Sequence, residues 1–441
     1  MRGMHQMRIV HATLIAAVVF GSIATLPAQE ARRRWEVLRQ IRLDKFDLVL
    51  PAAMRAHGID MWIVAMRENR WDPLYEDLGR GYASPVGYYV FTDRGGDRIE
   101  RAVLGVSGEL LEQSGAYDIV NPRTTLQAFV TERNPKRIGV NVSKTLGPAD
   151  GLSHTLHEEL VAALGPTYAA RLTSAERLII DFRTTRVASE IVAFGEVASF
   201  TVHLWERALS NEVVTPGKTT LADVAWWLQD RMLERGASSE FDQPSVYITG
   251  PEGIVAVSDD TVIQPGHVVM IDGGVHMLNF GTDIKRVAYV LKPGETDAPA
   301  SLHRALANAQ RAREVVRRVT RVGPTGASLI AEANAALTAA GFVPVAFNQP
   351  KPGDSIDVVF GHHGVGNVGH DIGPSMAFFQ ASQLELPVHA TAMMVSELFV
   401  YTPIPEWGGK KLRFPIEDDA IVTARGVEWL HPTPRRLLVI K

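Results

Sequence analysis

Five residues in the C-terminal half constrain this chain more than any other feature: Asp272, Asp283, His363, Glu397 and Glu417. They stand in the segments MIDGGVHMLNFGTDIKR, FGHHGVGNVGHD, MVSELFV and FPIEDDA. Brought to one point, four carboxylates and one imidazole would carry a large negative charge. Such a cluster is very costly to bury unless cations neutralise it. Two divalent ions would do so, and the pattern points to a two-metal hydrolase.

The donor types narrow the metal. Carboxylate oxygen with one imidazole and no sulfur suits a catalytic manganese, cobalt, iron or zinc ion, manganese being the first expectation. A closed structural zinc site would call on cysteine, and the chain has none. The calcium-loop pattern is also missing. In a two-metal site a shared water is acidified for attack on a carbonyl. Taken singly, each Asp or Glu is more often a solvated or capping residue, and His363 a satisfied loop histidine. Their joint order and local context outweigh that reading.

Local pattern suggests how the five meet. Asp272 follows VVMI, a buried-type strand, and Asp283 precedes IKRVAYVL, the start of the next. A tight connection between antiparallel strands would bring the two aspartates together. His363 lies in the glycine-rich stretch Gly361 to Gly369, where backbone can approach ions closely. Glu397 ends the run AMMVS and Glu417 begins the run leading to AIVT, so both are expected at strand ends, rigidly held.

The N-terminus reads as an export signal. Arg2 and Arg8 precede the uncharged apolar stretch Ala12 to Ile23, and TLPAQE follows, with Ala28 as the last residue before cleavage. The apolar run is short for a membrane span. The expectation is a signal peptide over 1–28 and a mature chain in the periplasm or outside the cell, free of the membrane. The lack of cysteine excludes disulfides, a cysteine nucleophile and a lipid-modified cysteine anchor. Basic and acidic residues number 45 and 49, a balance that gives no ground for a nucleic-acid partner.

Periodicity sketches the rest. Arg32 to Arg42 is polar and helix-compatible. Leu48 to His57 reads as an amphipathic helix, and Ile59 to Met66, Val86 to Thr92, Arg101 to Val106 and Lys136 to Val142 read as strands. With a helix over Thr155 to Leu164, this alternation suggests an α/β layer domain. Beyond it, helices are expected over Ala188 to Leu209, Thr220 to Arg235, Leu302 to Val322 and Ser328 to Ala340. His267 to Gly274 is a strand, and Arg286 to Leu291 its expected hairpin partner. From His363 onward the chain is rich in strands and loops.

The ordered motifs resemble those of the pita-bread metallopeptidases: methionine aminopeptidase, aminopeptidase P and prolidase. Those motifs are Asp272-Gly273-Gly274, Thr282-Asp283-Ile284-Lys285-Arg286, His363-Gly364-Val365-Gly366, Glu397, and Glu417-Asp418. DFRTTRVASEIVAF at Asp181 to Phe194 resembles the linker helix of the proline-specific branch, and the preceding region resembles its N-terminal domain. The resemblance implies an α+β chain, with an α/β creatinase/prolidase-like domain over 35–180 and a pita-bread catalytic domain over 185–441. It implies two divalent ions on the five ligands, bridged by Asp283 and Glu417. Glu397 would also shuttle a proton, and His370 would contact substrate and the developing oxyanion. It further implies a small peptide substrate, Xaa-Pro aminopeptidase activity and a homodimer or larger homo-oligomer.

Three departures stand out. No histidine occurs between Gly250 and Gly266, where the proline-specific members carry one. The E-P-G of the family is here Glu397-Leu398-Phe399. Pro415 occupies the usual place of an arginine, and Arg413 lies two residues upstream. These leave open a prolidase-like dipeptidase, a hydrolase of another small amide or ester, and a non-catalytic pita-bread binding protein.

Overall fold

The structure, a computed structural model, describes residues 29–441, so the expected signal segment lies outside the described residues. The chain builds two main sheets. The first has six strands in the order Ile119–Val120, Glu100–Ser107, Tyr82–Thr92, Met61–Met66, Ile138–Val140, Leu172–Ser174. Met61–Met66 runs antiparallel to Tyr82–Thr92 and parallel to Ile138–Val140. All six of its residues are buried, because apolar side chains cover both faces. Trp62, Val64 and Met66 pack with Phe46, Phe91 and Phe182 on one face. Met61 and Ile63 pack with Phe129, Leu156 and Leu160 on the other. This is the layered α/β arrangement expected from the alternating pattern.

Helices differ from the expectation mainly at their ends. The polar segment after the signal is a helix, Glu30–Leu48. A second helix, Leu50–Ala56, follows at once and carries Pro51 in its first turn, where the missing N–H costs nothing. His154–Ala169 is broken at Gly165, whose φ of 71° no ordinary helix residue adopts. Ala188–Ala208 and Leu221–Glu234 form as expected, the latter capped by the Thr220 hydroxyl on the Asp223 N–H.

The second sheet carries eleven strands. Its main path runs Val343–Pro344, Asp357–Phe360, Met393–Pro403, Lys411–Thr423, Ile284–Val290, Val268–Gly273, Ser245–Gly250, Gly253–Val257. Helices Ala188–Ala208 and Leu221–Glu234 pack Phe194, Trp205, Val224 and Leu228 against Val269, Ile271 and Ala288 of this sheet. Helices Ala300–Val319 and Gly326–Ala339 pack Leu302, Ala309, Val316 and Leu329 against Leu398, Val400 and Ile416. Val268–Gly273 and Ile284–Val290 do pair, but not through a tight hairpin. The small strands Val275–Met277 and Phe280–Gly281 intervene and join Ser238–Ser239 in a separate three-stranded sheet. Among the described residues no single helix is long and apolar enough to cross a membrane.

A buried ion network ties the start of the second half to the His363 loop. Arg186 donates to Glu190 Oε1 at 3.0 Å, to Asn367 Oδ1 at 2.8 Å and to Asp371 Oδ2 at 3.1 Å, with 1% of its side chain exposed. Arg183 pairs with Asp77 Oδ2 at 2.6 Å, and Asn367 reaches Asp77 Oδ1 at 3.3 Å, so the first half also touches this loop. Removing one member of a buried set leaves the others charged and unpaired. Arg186→Leu is therefore expected to cost about 3–5 kcal/mol of folding stability. Denaturant unfolding checks this, and a loss below about 1 kcal/mol would show the network to be dispensable.

Candidate metal centre

Strand register builds the site. Asp272 pairs with Lys285, Lys285 with Glu417, and Glu417 with Glu397, so four neighbouring strands contribute one row of side chains. Residues directly opposite in register share a face and lie within reach of one another. Glu397 and Glu417 sit in the middle of strands Met393–Pro403 and Lys411–Thr423, not at strand ends as expected. Both strands continue because almost every residue along them is buried.

Asp283 joins the row from the residue preceding Ile284–Val290. Two residues of the Ala188–Ala208 helix hold that point. Thr201 shares a hydrogen bond with Thr282 at 2.9 Å, and Trp205 Nε1 donates to the Ile284 carbonyl at 2.9 Å, one contact on each side of Asp283. At Gly274 an added Cβ would lie 1.7 Å from the Thr282 oxygen, so the D-G-G turn requires glycine for close approach.

His363 arrives on a short strand pairing with Val395. The glycines around it serve packing against protein: a Cβ at Gly366 would meet Arg186 Nη2 at 1.9 Å, and one at Gly364 would meet the Asp371 oxygen at 3.0 Å. His363 Nδ1 lies 3.1 Å from the Gly364 carbonyl, which can only accept, so Nδ1 carries the proton. Burial, the largest influence, lowers the pKa of this ring and keeps it neutral. Its Nε2 lone pair then faces the carboxylates and has no partner among the described residues. Glu417 Oε1 is likewise buried without a partner. Neighbouring His362 instead accepts from Ser396 and bonds the Glu397 carbonyl, leaving it no such role.

All five expected ligands thus come together, with His370 beside them. Ligand atoms within 4.8 Å of one another form three groups: Asp283, His363, His370; His363, Glu397, Glu417; and Asp272, Asp283, Glu417. Asp283 and Glu417 each belong to two groups. His370 Nε2 lies 3.3 Å from Asp283 Oδ2, with about half of its side chain exposed toward the cavity. The orphaned lone pairs on His363 and Glu417 fit a divalent cation held together with Glu397, and Asp283 lies within reach of each of the two.

Charge within the cluster is uneven. Burial pushes Glu417 well above the usual carboxylate range, with Asp283 adding to it and Lys285 opposing. Burial likewise pushes Asp272 up to about 6 against the pull of Lys285. Burial would also raise Asp283, but its hydrogen bond to His370 and the charge of Lys285 outweigh that and hold it low. The same bond raises His370 despite the penalty of burial.

Lys285 is the residue that sequence reasoning missed. Its Nζ lies 2.6 Å from Glu417 Oε2, 2.9 Å from Glu397 Oε1 and 3.2 Å from Asp272 Oδ1. Its signal was available: two residues after Asp283 on a strand of period two means the same face. The cluster opens into a cavity of about 400 Å³ with Phe241, Phe347, Phe360, Phe378, Phe379 and Phe399 in its wall. Phe399 and Arg413, noted above as departures, touch there: the guanidinium lies 3.9 Å from the ring centroid, and Lys285 Nζ 5.5 Å from the same ring. Val255, in the segment that lacks the upstream histidine, is exposed on the edge strand Gly253–Val257.

The sequence pattern of metallopeptidase family M24 matches residues 193–424, the part of the chain that holds all five expected ligands. The chain belongs to metallopeptidase family M24. An uncharacterized peptidase of Bacillus subtilis (strain 168), YqhT, is 27% identical over 354 residues, covering 77% of this chain and 84% of the relative. The structure is similar to an X-Pro aminopeptidase from Thermotoga maritima MSB8, with TM-score 0.63 and 18% identity, covering 88% of this chain and 99% of that one. It is also similar to an Xaa-Pro dipeptidase from Bacillus anthracis, with TM-score 0.57 and 21% identity, covering 93% and 99%. Likeness at this identity shows the fold, the pita-bread fold, over nearly the whole chain.

In this M24 protein Asp283 is shared by two ligand groups, so Asp283→Ala removes a donor from each. Supporting residues around metal ligands are worth about 10–100-fold in affinity, so loss of a shared ligand is expected to weaken manganese binding at least about tenfold. Isothermal titration checks this, and unchanged affinity would exclude Asp283 as a ligand.

Proposed function

We propose that this chain is an exported, metal-dependent peptidase that removes the residue preceding proline from small peptides. The observation that carries the reading is the neutral His363, whose unpartnered Nε2 faces Asp283, Glu397 and Glu417 at the floor of the cavity. A divalent ion there, manganese first with cobalt, zinc and iron suited to the same donors, would supply an acidified water and polarise the scissile carbonyl. Glu397, which faces the cavity, is placed to accept the proton of the attacking water and pass it to the leaving nitrogen. His370, a cavity residue with its ring nitrogen on Asp283, is placed to donate to the developing oxyanion. The Xaa-Pro branch is favoured by the layered N-terminal half and by the similarity in fold to an X-Pro aminopeptidase and an Xaa-Pro dipeptidase. How many ions the site holds turns on Lys285.

A second reading keeps the metal and changes the substrate to another small amide or ester. Phe399 and Arg413 at the cavity wall favour it, since both stand where the sequence departs from the proline-specific pattern. Hydrolysis of Ala-Pro and Ala-Pro-Ala by residues 29–441 with added manganese separates the two. Cleavage of both, abolished by a chelator, is expected. Cleavage of small esters with neither peptide touched would select the second reading. Export rests on the basic, apolar and small-residue pattern of residues 1–28. Fractionation of expressing cells is expected to place a shortened chain outside the cytoplasm, and a full-length chain retained inside would remove this part of the proposal.

A further inference from the structure

Resting on the reading of this centre as metal-dependent, we infer that Lys285 occupies the place of one of the two cations, so that the site takes a single divalent ion on Asp283, His363, Glu397 and Glu417. The geometry is that of a cation among its ligands. The ammonium has three N–H donors and meets three carboxylates, on Asp272, Glu397 and Glu417, at 2.6–3.2 Å. Two of them, Asp272 and Glu417, belong to the ligand group Asp272, Asp283, Glu417. A metal ion bound by that group would sit about 2.0–2.2 Å from the same oxygens, in the volume the ammonium fills.

Lys285 has little freedom to leave. Its backbone is paired with Asp272 on one side and Glu417 on the other, and 6% of its side chain is exposed. Swinging it out would strip a buried charge of all three partners. The atoms without partners lie on the other side of the cluster. Glu417 gives Oε2 to the lysine and leaves Oε1 free of any bond, and His363 Nε2 is also free among the described residues. Among the described residues these free atoms belong to the group His363, Glu397, Glu417, the one that includes the imidazole together with both glutamates.

Charge agrees. Four carboxylates facing one lysine and one divalent ion keep a single net negative charge. A second divalent ion would make the same group net positive before any substrate arrives. The two ions that four bare carboxylates call for are no longer needed once the lysine is counted among them.

Metal content of the metal-stripped chain, residues 29–441, after equilibrium dialysis against excess manganese decides the matter. One equivalent is expected for the wild type and two for Lys285→Thr, by elemental analysis. Manganese electron paramagnetic resonance supplies an independent readout: isolated-ion lines for the wild type, and the broadening of a spin-coupled pair for the variant. Lys285→Met, neutral and of similar length, is expected to accept a second ion more weakly than Lys285→Thr and serves if the shorter side chain unfolds the sheet. Two equivalents on the wild type would overturn the inference whatever the variants do, and leave the metal-dependent reading standing. A folded Lys285→Thr that still takes one would also overturn it. No metal on either chain would overturn the metal-dependent reading together with this one.

Discussion

The row Asp272, Lys285, Glu417, Glu397 is the constraint on which the rest of the structure depends. It crosses four adjacent strands in register, so the backbone ladders fix which side chains stand opposite one another. Three carboxylates side by side, with Asp283 next to them, would repel one another strongly in a poorly solvated centre. The lysine ammonium sits between them and satisfies one oxygen of each member of the row. Among the described residues His363 Nε2 and Glu417 Oε1 stay without a partner, and both are atoms that can donate a lone pair to a cation.

The surroundings hold this arrangement rigid. Behind the row, Arg286 pairs with Asp418 at 2.9 Å, and Arg313 closes on the same carboxylate, so the residue next to Glu417 is clamped from the opposite face. Asp419 accepts from the Asp283 N–H at 3.3 Å, and burial pushes its carboxyl well above the usual range. The Ala188–Ala208 helix grips Thr282 and Ile284, and Arg186 fixes the loop bearing His363 and His370. Every expected ligand thus sits on an element packed from behind, the condition for a site whose geometry changes little when charge is added.

Much of this was legible in the sequence because the chemistry is carried by rare side chains in apolar contexts. The five expected ligands and His370 could be listed from their order, and the fold brings their side chains together; the main helices and strands follow from periodicity. The failures have physical causes. Glu397 and Glu417 interrupt apolar runs, which suggested strand ends, whereas the strands pass through them because the sheet is buried along its length. The link between the two aspartate strands looked short, but a small separate sheet occupies it. Lys285 is not legible from local sequence, because a lone lysine is ordinarily solvated. Only the pairing of its strand with those of Asp272 and Glu417 shows that it is not, and register between distant strands is not written in local sequence. The cavity's phenylalanines, spread from Phe241 to Phe399, are likewise united only by the fold.

The central claim is that this buried row and its neighbours form a cation site completed by protein charge. The most direct measurement is anomalous diffraction at the manganese edge from crystals of residues 29–441 grown with manganese. The account predicts one strong peak bounded by Asp283, His363, Glu397 and Glu417, with the Lys285 ammonium still against Asp272. Two peaks of equal strength with the lysine displaced, or no peak among these side chains, would contradict it.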